Sequence, residues 1–163
     1  MAIAPQAADA KPVVARRKLH FRNFDEVIAE AERLNASSYQ TLGNWTLPRA
    51  CGHLGQAMIG CVDGKPFFVP WWMRVLGRVY LRRRLLREFP SGFKLPRRAE
   101  AMLVPQEELS FDEGIERLRA GLARLAETDQ RIPHPVVGKL SVDQWDTFHL
   151  RHAELHLSFF VPA

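Results

Sequence analysis

Apolar residues recur at helical spacing in four separate stretches of the chain. Phe24, Val27, Ile28, Ala31 and Leu34 form the first set, and Ala50, Leu54, Ala57, Met58 and Cys61 the second. Phe111, Ile115, Leu118, Leu122 and Leu125 form the third. The fourth stretch holds Trp145, His149, His152, His156 and Phe159, separated by 4, 3, 4 and 3 residues. At about 3.6 residues per turn each set lies in one stripe, the pattern of a helix with one buried face. Each stretch is preceded by residues suited to start a helix: Asn23 with Glu26, Thr46 with Pro48, Ser110 with Glu113, and Ser141 with Gln144. The first helix is expected to end near Asn35 to Ser38, the second to run from about Leu47 to Cys61, and the third to end near Thr128.

The stretches between them are less regular. Leu42-Gly43-Asn44-Trp45 carries a turn signal, and Asp63-Gly64-Lys65 closes the second helix. Pro70 opens a segment from Trp71 to Arg87 that reads as an inserted helix, stopped at Pro90-Ser91-Gly92. An extended stretch follows, from Leu95-Pro96 to Val104-Pro105. Ile132-Pro133-His134-Pro135 and Gly138 form the loop into the last helix. Nothing alternates with period two, so strands are not expected. The fold class is therefore all-α: four core helices plus an inserted basic helix, with long connections that fit a bundle with crossovers.

Composition narrows the setting. A chain of 163 residues, 47% apolar and 25% charged, suits one globular domain. No apolar run approaches the roughly 18 residues of a membrane span. Residues 1–15 are expected to form a disordered arm before a single domain over 16–163, because the start is rich in Ala and Pro. Arg16-Arg17 resembles a twin-arginine signal, but no apolar region follows, so export is not expected. Cys51 and Cys61 are ten residues apart on one helix, about 15 Å along its axis, too far for a disulfide. Free thiols suit a reducing cytoplasm, the expected location.

Charge is uneven. The whole chain carries +5, whereas Pro70 to Glu100 holds nine Lys or Arg against two Glu. That asymmetry suits anionic ligands or surfaces as partners of the middle segment; the alternative is a solvated face whose Trp and Leu residues simply pack on the bundle. A dedicated nucleic-acid role is not expected, because the arginines alternate with apolar residues that a bundle needs.

The candidate chemistry lies in the fourth stripe. Its flanking Trp145 and Phe159 mark it as buried, so three imidazoles are aimed into a core, where an unpaired polar ring is costly. A metal ion would satisfy them. His152 and His156 are an i, i+4 pair whose rings can converge on one ion, and His53 is a histidine on the buried face of the second helix. Three neutral imidazoles with an open coordination position suit a catalytic zinc, and also nickel or iron. His149 competes for a place, but lies seven residues from His156, about 10.5 Å along the axis. Two sets remain open on these grounds: His53, His152 and His156, or His53, His149 and His152.

Other polar residues are weaker candidates. Gln56 follows His53 by about one turn and reads as an exposed helical residue. Glu154 is expected to face solvent or a partner. Cys51 and Cys61 read as buried structural thiols. Asn44 and Trp45 either line the mouth of a pocket or, for Trp45, brace the Thr46 cap. No Ser-His-Asp or Cys-His arrangement is evident.

Gly52-His53-Leu54 and His152-x-x-x-His156 resemble the histidine triad of the DinB-like superfamily. A wider set resembles the recurring pattern of one uncharacterised branch of it. That set comprises Arg17-x-Leu19-x-Phe21, Leu42-Gly43-Asn44-Trp45-Thr46-Leu47, Asp63-Gly64, His134-Pro135, Gly138-x-Leu140, Trp145 and His152-Ala153-Glu154-Leu155-His156-Leu157-Ser158-Phe159-Phe160. The resemblance covers about residues 16–161 and implies a four-helix bundle, often dimeric, with His53, His152 and His156 as metal ligands. It also implies a divalent ion (zinc, nickel, iron or manganese) and thiol transfer to an electrophile more than hydrolysis. The partner would then be a small-molecule substrate such as a low-molecular-weight thiol, whose carboxylates the inserted arginines would hold. Three classes of function follow: a metal-dependent thiol transferase or hydrolase, a helical protein merely braced by its ion, or a binding module acting through the basic middle.

Overall fold

The structure is a computed structural model that describes residues 15–64, 70–89, 104–105 and 107–163. It is mostly helical, and the four expected starts carry their caps. The Asn23 side chain accepts from the Glu26 amide at 3.0 Å and opens α1 (Phe24–Asn35). Thr46 accepts from the Arg49 amide at 3.4 Å before α2 (Leu47–Asp63), with Pro48 in the first turn. The middle segment forms α3 (Trp71–Leu76), a π-helical turn (Gly77–Leu81) and α4 (Arg82–Leu85). Ser110 and Glu113 make a reciprocal capping box ahead of α5 (Phe111–Ala126), and Ser141 and Gln144 make another ahead of α6 (Val142–Leu157). Each box satisfies two amides that a helix start leaves without partners.

Val27, Ala31 and Leu34 of α1, Leu47, Leu54 and Met58 of α2, Leu118 of α5 and Leu157 of α6 are buried in one core. Helices α2 and α5 make the closest contact. Pro48 lies against Gly114, Gly55 against Gly121, and Asp63 against Arg124, so the positions advance together and the two helices run parallel. Parallel neighbours cannot be joined by a tight turn, which explains why the long middle of the chain falls between them. Helix α6 runs antiparallel to α2, since His53 meets His152 while Cys61 meets His149.

Among the described residues, two short strands depart from the expectation of none. β1 (Tyr39–Thr41) pairs antiparallel with β2 (Phe160–Pro162), with Gln40 opposite Val161. Three-residue strands are too short for period two to register. Their effect is local but useful. The Leu42 amide donates to the Phe159 carbonyl at 2.9 Å, which clips the loop before α2 to the end of α6 and brings Trp45 close to the last histidine.

Gly77 is buried, and a Cβ there would lie 2.6 Å from the Val136 carbonyl oxygen, so the inserted helix packs backbone-close on the loop before α6. Arg82 adds a 2.8 Å hydrogen bond to Gln144 Oε1. In that loop Gly138 has φ +79, a left-handed conformation that a side chain would strain. The expected N-terminal arm and most of the extended stretch before α5 lie outside the described residues. No helix among the described residues is long and apolar enough to cross a membrane.

Candidate metal centre

His53 comes from the second turn of α2, and His152 and His156 from the last two turns of α6. The structure brings these three together: one ring nitrogen from each lies within 4.8 Å of the others. His152 Nε2 is the hub, 3.2 Å from His53 Nε2 and 3.0 Å from His156 Nε2. Three nitrogens bound at about 2.0–2.1 Å to one ion in a tetrahedral arrangement would be roughly 3.3 Å apart. Two of the three spacings here are already close to that, and the third is within 4.8 Å.

Hydrogen bonding alone does not account for the position of His152 Nε2. A neutral imidazole nitrogen carries either one proton or one lone pair. His152 Nε2 can therefore make one good hydrogen bond, and it has two Nε2 neighbours. Protonation does not relieve the conflict. Burial first, then repulsion from His156 and His53, holds the His152 imidazole well below its ordinary pKa. Burial, then His53, does the same to His156. Both rings are thus neutral near pH 7 and offer lone pairs. A cation is the group for which converging lone pairs are favourable, so these residues could hold one.

Aromatic rings wall the cluster. Trp45 stacks on His156 with centroids 4.9 Å apart and planes 7° from parallel, and meets His53 edge-on at 5.0 Å. Of the two roles open to Trp45, the structure places it at the histidines. Phe89 stacks on His152 at 5.0 Å and packs edge-on against Phe148. No local pattern in the sequence marks Phe89, because it comes from the inserted segment and reaches the site only through tertiary packing.

His149 is excluded from the group, as its axial distance from His156 requires. Its ring stacks on Trp145 at 5.5 Å and its Nε2 sits 3.4 Å from Cys61 Sγ. Burial pushes its pKa down to about 3. His134 braces its own turn, its Nδ1 accepting from the Val136 and Val137 amides at 3.1 Å each. Cys51 and Cys61 are buried, and burial pushes their thiols up to about 12 and about 11, so neither is a ready thiolate. Gln56 is exposed, as expected.

Glu154 departs from expectation. It faces neither solvent nor a partner but accepts the Phe21 amide at 2.6 Å and pairs with Arg151 at 2.6 Å. Arg151 in turn donates to the Phe21 carbonyl at 2.8 Å. The pair anchors the segment ahead of α1 to the helix that carries two of the three histidines.

Fold and site together define a mostly helical protein with a partly buried three-histidine cluster walled by aromatic rings. The chain belongs to the family described as protein of unknown function (DUF1569), whose model matches residues 13–163. No curated protein and no solved structure matches it significantly.

Proposed function

We propose that α1, α2, α5 and α6 form a DinB-like four-helix bundle in which His53, His152 and His156 hold one divalent ion, and that the site catalyses thiol transfer or hydrolysis. The observation that carries this reading is His152 Nε2 at 3.2 and 3.0 Å from two other Nε2 atoms. That arrangement is frustrated for neutral imidazoles and favourable around a cation. Zinc, nickel, iron and manganese all accept such a donor set. When bound, the ion would supply Lewis acidity and lower the pKa of a thiol or water in its open position.

The chain's own residues do the rest. The neutral rings present lone pairs without a proton to displace. Trp45 and Phe89 hold two of the rings by stacking and exclude water from their faces. The thiols of Cys51 and Cys61 are pushed far above neutral pH, so a reacting thiol would come from a substrate.

The test uses protein purified without a histidine tag and loaded in turn with zinc, nickel, iron or manganese. Low-molecular-weight thiols are screened with electrophiles, and ester and amide substrates separately. Metal-dependent turnover that disappears in His152→Ala supports the enzyme. A full equivalent of metal in the triple alanine variant of His53, His152 and His156 would sink the site itself. Metal that only raises the melting temperature, with no turnover, would reduce the ion to a brace.

A further inference from the structure

Among the described residues of the inserted segment, six large apolar side chains are about half exposed or more. Trp71, Trp72, Val75, Leu76, Val79 and Tyr80 are 48% to 75% exposed. Their spacing of i, i+1, i+4, i+5, i+8 and i+9 places them on one side of the helix. Gly77, on the opposite side, is the residue buried against Val136. A surface helix ordinarily turns its apolar stripe to the core. Here the stripe points away from the body of the protein, and a contiguous exposed apolar patch of this kind marks an interaction surface.

The charges beside the patch identify the partner. Residues 70–89 hold six arginines, Arg74, Arg78, Arg82, Arg83, Arg84 and Arg87, against the single acid Glu88. All but Arg82 are exposed. We propose that this face docks on the surface of an anionic lipid bilayer, with the helix lying in the headgroup plane. Tryptophan and tyrosine favour that zone because one side of the ring is apolar and the other polar. Valine and leucine would enter the acyl boundary beneath it, and the arginines would meet anionic headgroups.

Two other occupants fit less well. A second copy, docked by twofold symmetry, would set one arginine cluster against another. A nucleic acid would satisfy the arginines, but Val75, Leu76 and Val79 have no planar face on which bases stack. A bilayer satisfies both halves of the surface. The helix is also fastened to the body through Gly77 and through the Arg82 hydrogen bond to Gln144, so docking would orient the whole molecule. The same segment ends at Phe89 on His152, which links the docking face to the histidine cluster by a short stretch of chain.

The test is cosedimentation of the full chain with vesicles of equal parts phosphatidylcholine and phosphatidylglycerol, beside vesicles of phosphatidylcholine alone. Binding is expected to the anionic vesicles and to fall steeply as salt rises. Replacing Arg83, Arg84 and Arg87 by Gln should weaken it roughly a hundredfold, at about tenfold or less per arginine. Trp71→Ser with Trp72→Ser should weaken it at least about tenfold. All five side chains are exposed, so melting temperatures should match the parent, and if the Trp variant unfolds the Arg variant decides. Equal binding to both vesicle types would overturn the proposal, as would anionic binding that survives the Arg variant. So would tighter binding of duplex DNA than of vesicles at the same salt, or a dimer that the Trp variant dissociates in a protein that ignores vesicles. Vesicle binding should be the same with and without a metal chelator, which separates this surface from the metal reading.

Discussion

Gly121 and Gly55 meet backbone to backbone where α5 crosses α2, two residues from His53. A Cβ on Gly121 would lie 2.7 Å from the Gly55 carbonyl oxygen. A Cβ on Gly55 would run into the Arg117 carbonyl. Backbone atoms cannot give way as a flexible side chain can. Gly121→Ala is therefore expected to push the helices apart and cost at least about 2 kcal/mol. Because His53 rides on α2, the variant should also weaken metal retention. Denaturant unfolding and metal analysis check both, and a melting point unchanged from the parent would show that the crossing is looser than described.

The Arg151 and Glu154 pair supports a second prediction. Both side chains are nearly buried, at 8% and 11% exposure, and Glu154 also accepts the Phe21 amide. Glu154→Ala leaves a buried guanidinium without its counter-charge and the Phe21 amide without its acceptor, and is expected to cost about 3 kcal/mol. Glu154→Gln keeps an acceptor and should cost clearly less. Equal losses in the two variants would mean that the carboxylate contributes through packing alone.

His149 separates bulk burial from metal ligation. Its Nε2 is committed to Cys61 and it lies outside the cluster. His149→Ala should leave metal content nearly intact while lowering stability by about 2 kcal/mol, from the cavity and the lost sulfur contact. Loss of metal equal to that of His156→Ala would instead favour the set built on His149.

Acid should weaken the fold before the carboxylates titrate. Burial holds His134 down to about 4 and His149 down to about 3, below the ordinary 6.5. Groups with depressed folded pKa values contribute stability that is fully present above the unfolded value and is lost as pH falls toward the folded one. Unfolding free energy of chelator-treated protein should thus be flat above pH 6.5 and decline between 6.5 and 5. His149→Met should shrink the decline. A free energy that stays level down to pH 5 would contradict the buried, neutral state of these rings.

The helices and their limits were legible in the chain because they depend on local physics. Asn23, Thr46, Ser110 and Ser141 cap amides within three residues of themselves, and the apolar stripes follow from the helical period. The pairing of His152 with His156 is equally local, since one helical turn sets their rings side by side. Residue spacing alone left His149 open as a third ligand. What decided against it was the antiparallel run of α6 on α2, which sends His149 to Cys61 and His152 to His53. Glu154 faces inward because a distant segment, at His20 and Phe21, covers it. The strands at Tyr39 and Phe160 are too short to carry a period and exist through their mutual hydrogen bonds. Phe89 reaches His152, and Trp71, Trp72, Val75, Leu76, Val79 and Tyr80 face solvent, because Gly77 seats the inserted helix on Val136. Local spacing determines which residues share a face, whereas the direction that face takes depends on contacts between residues far apart in the chain.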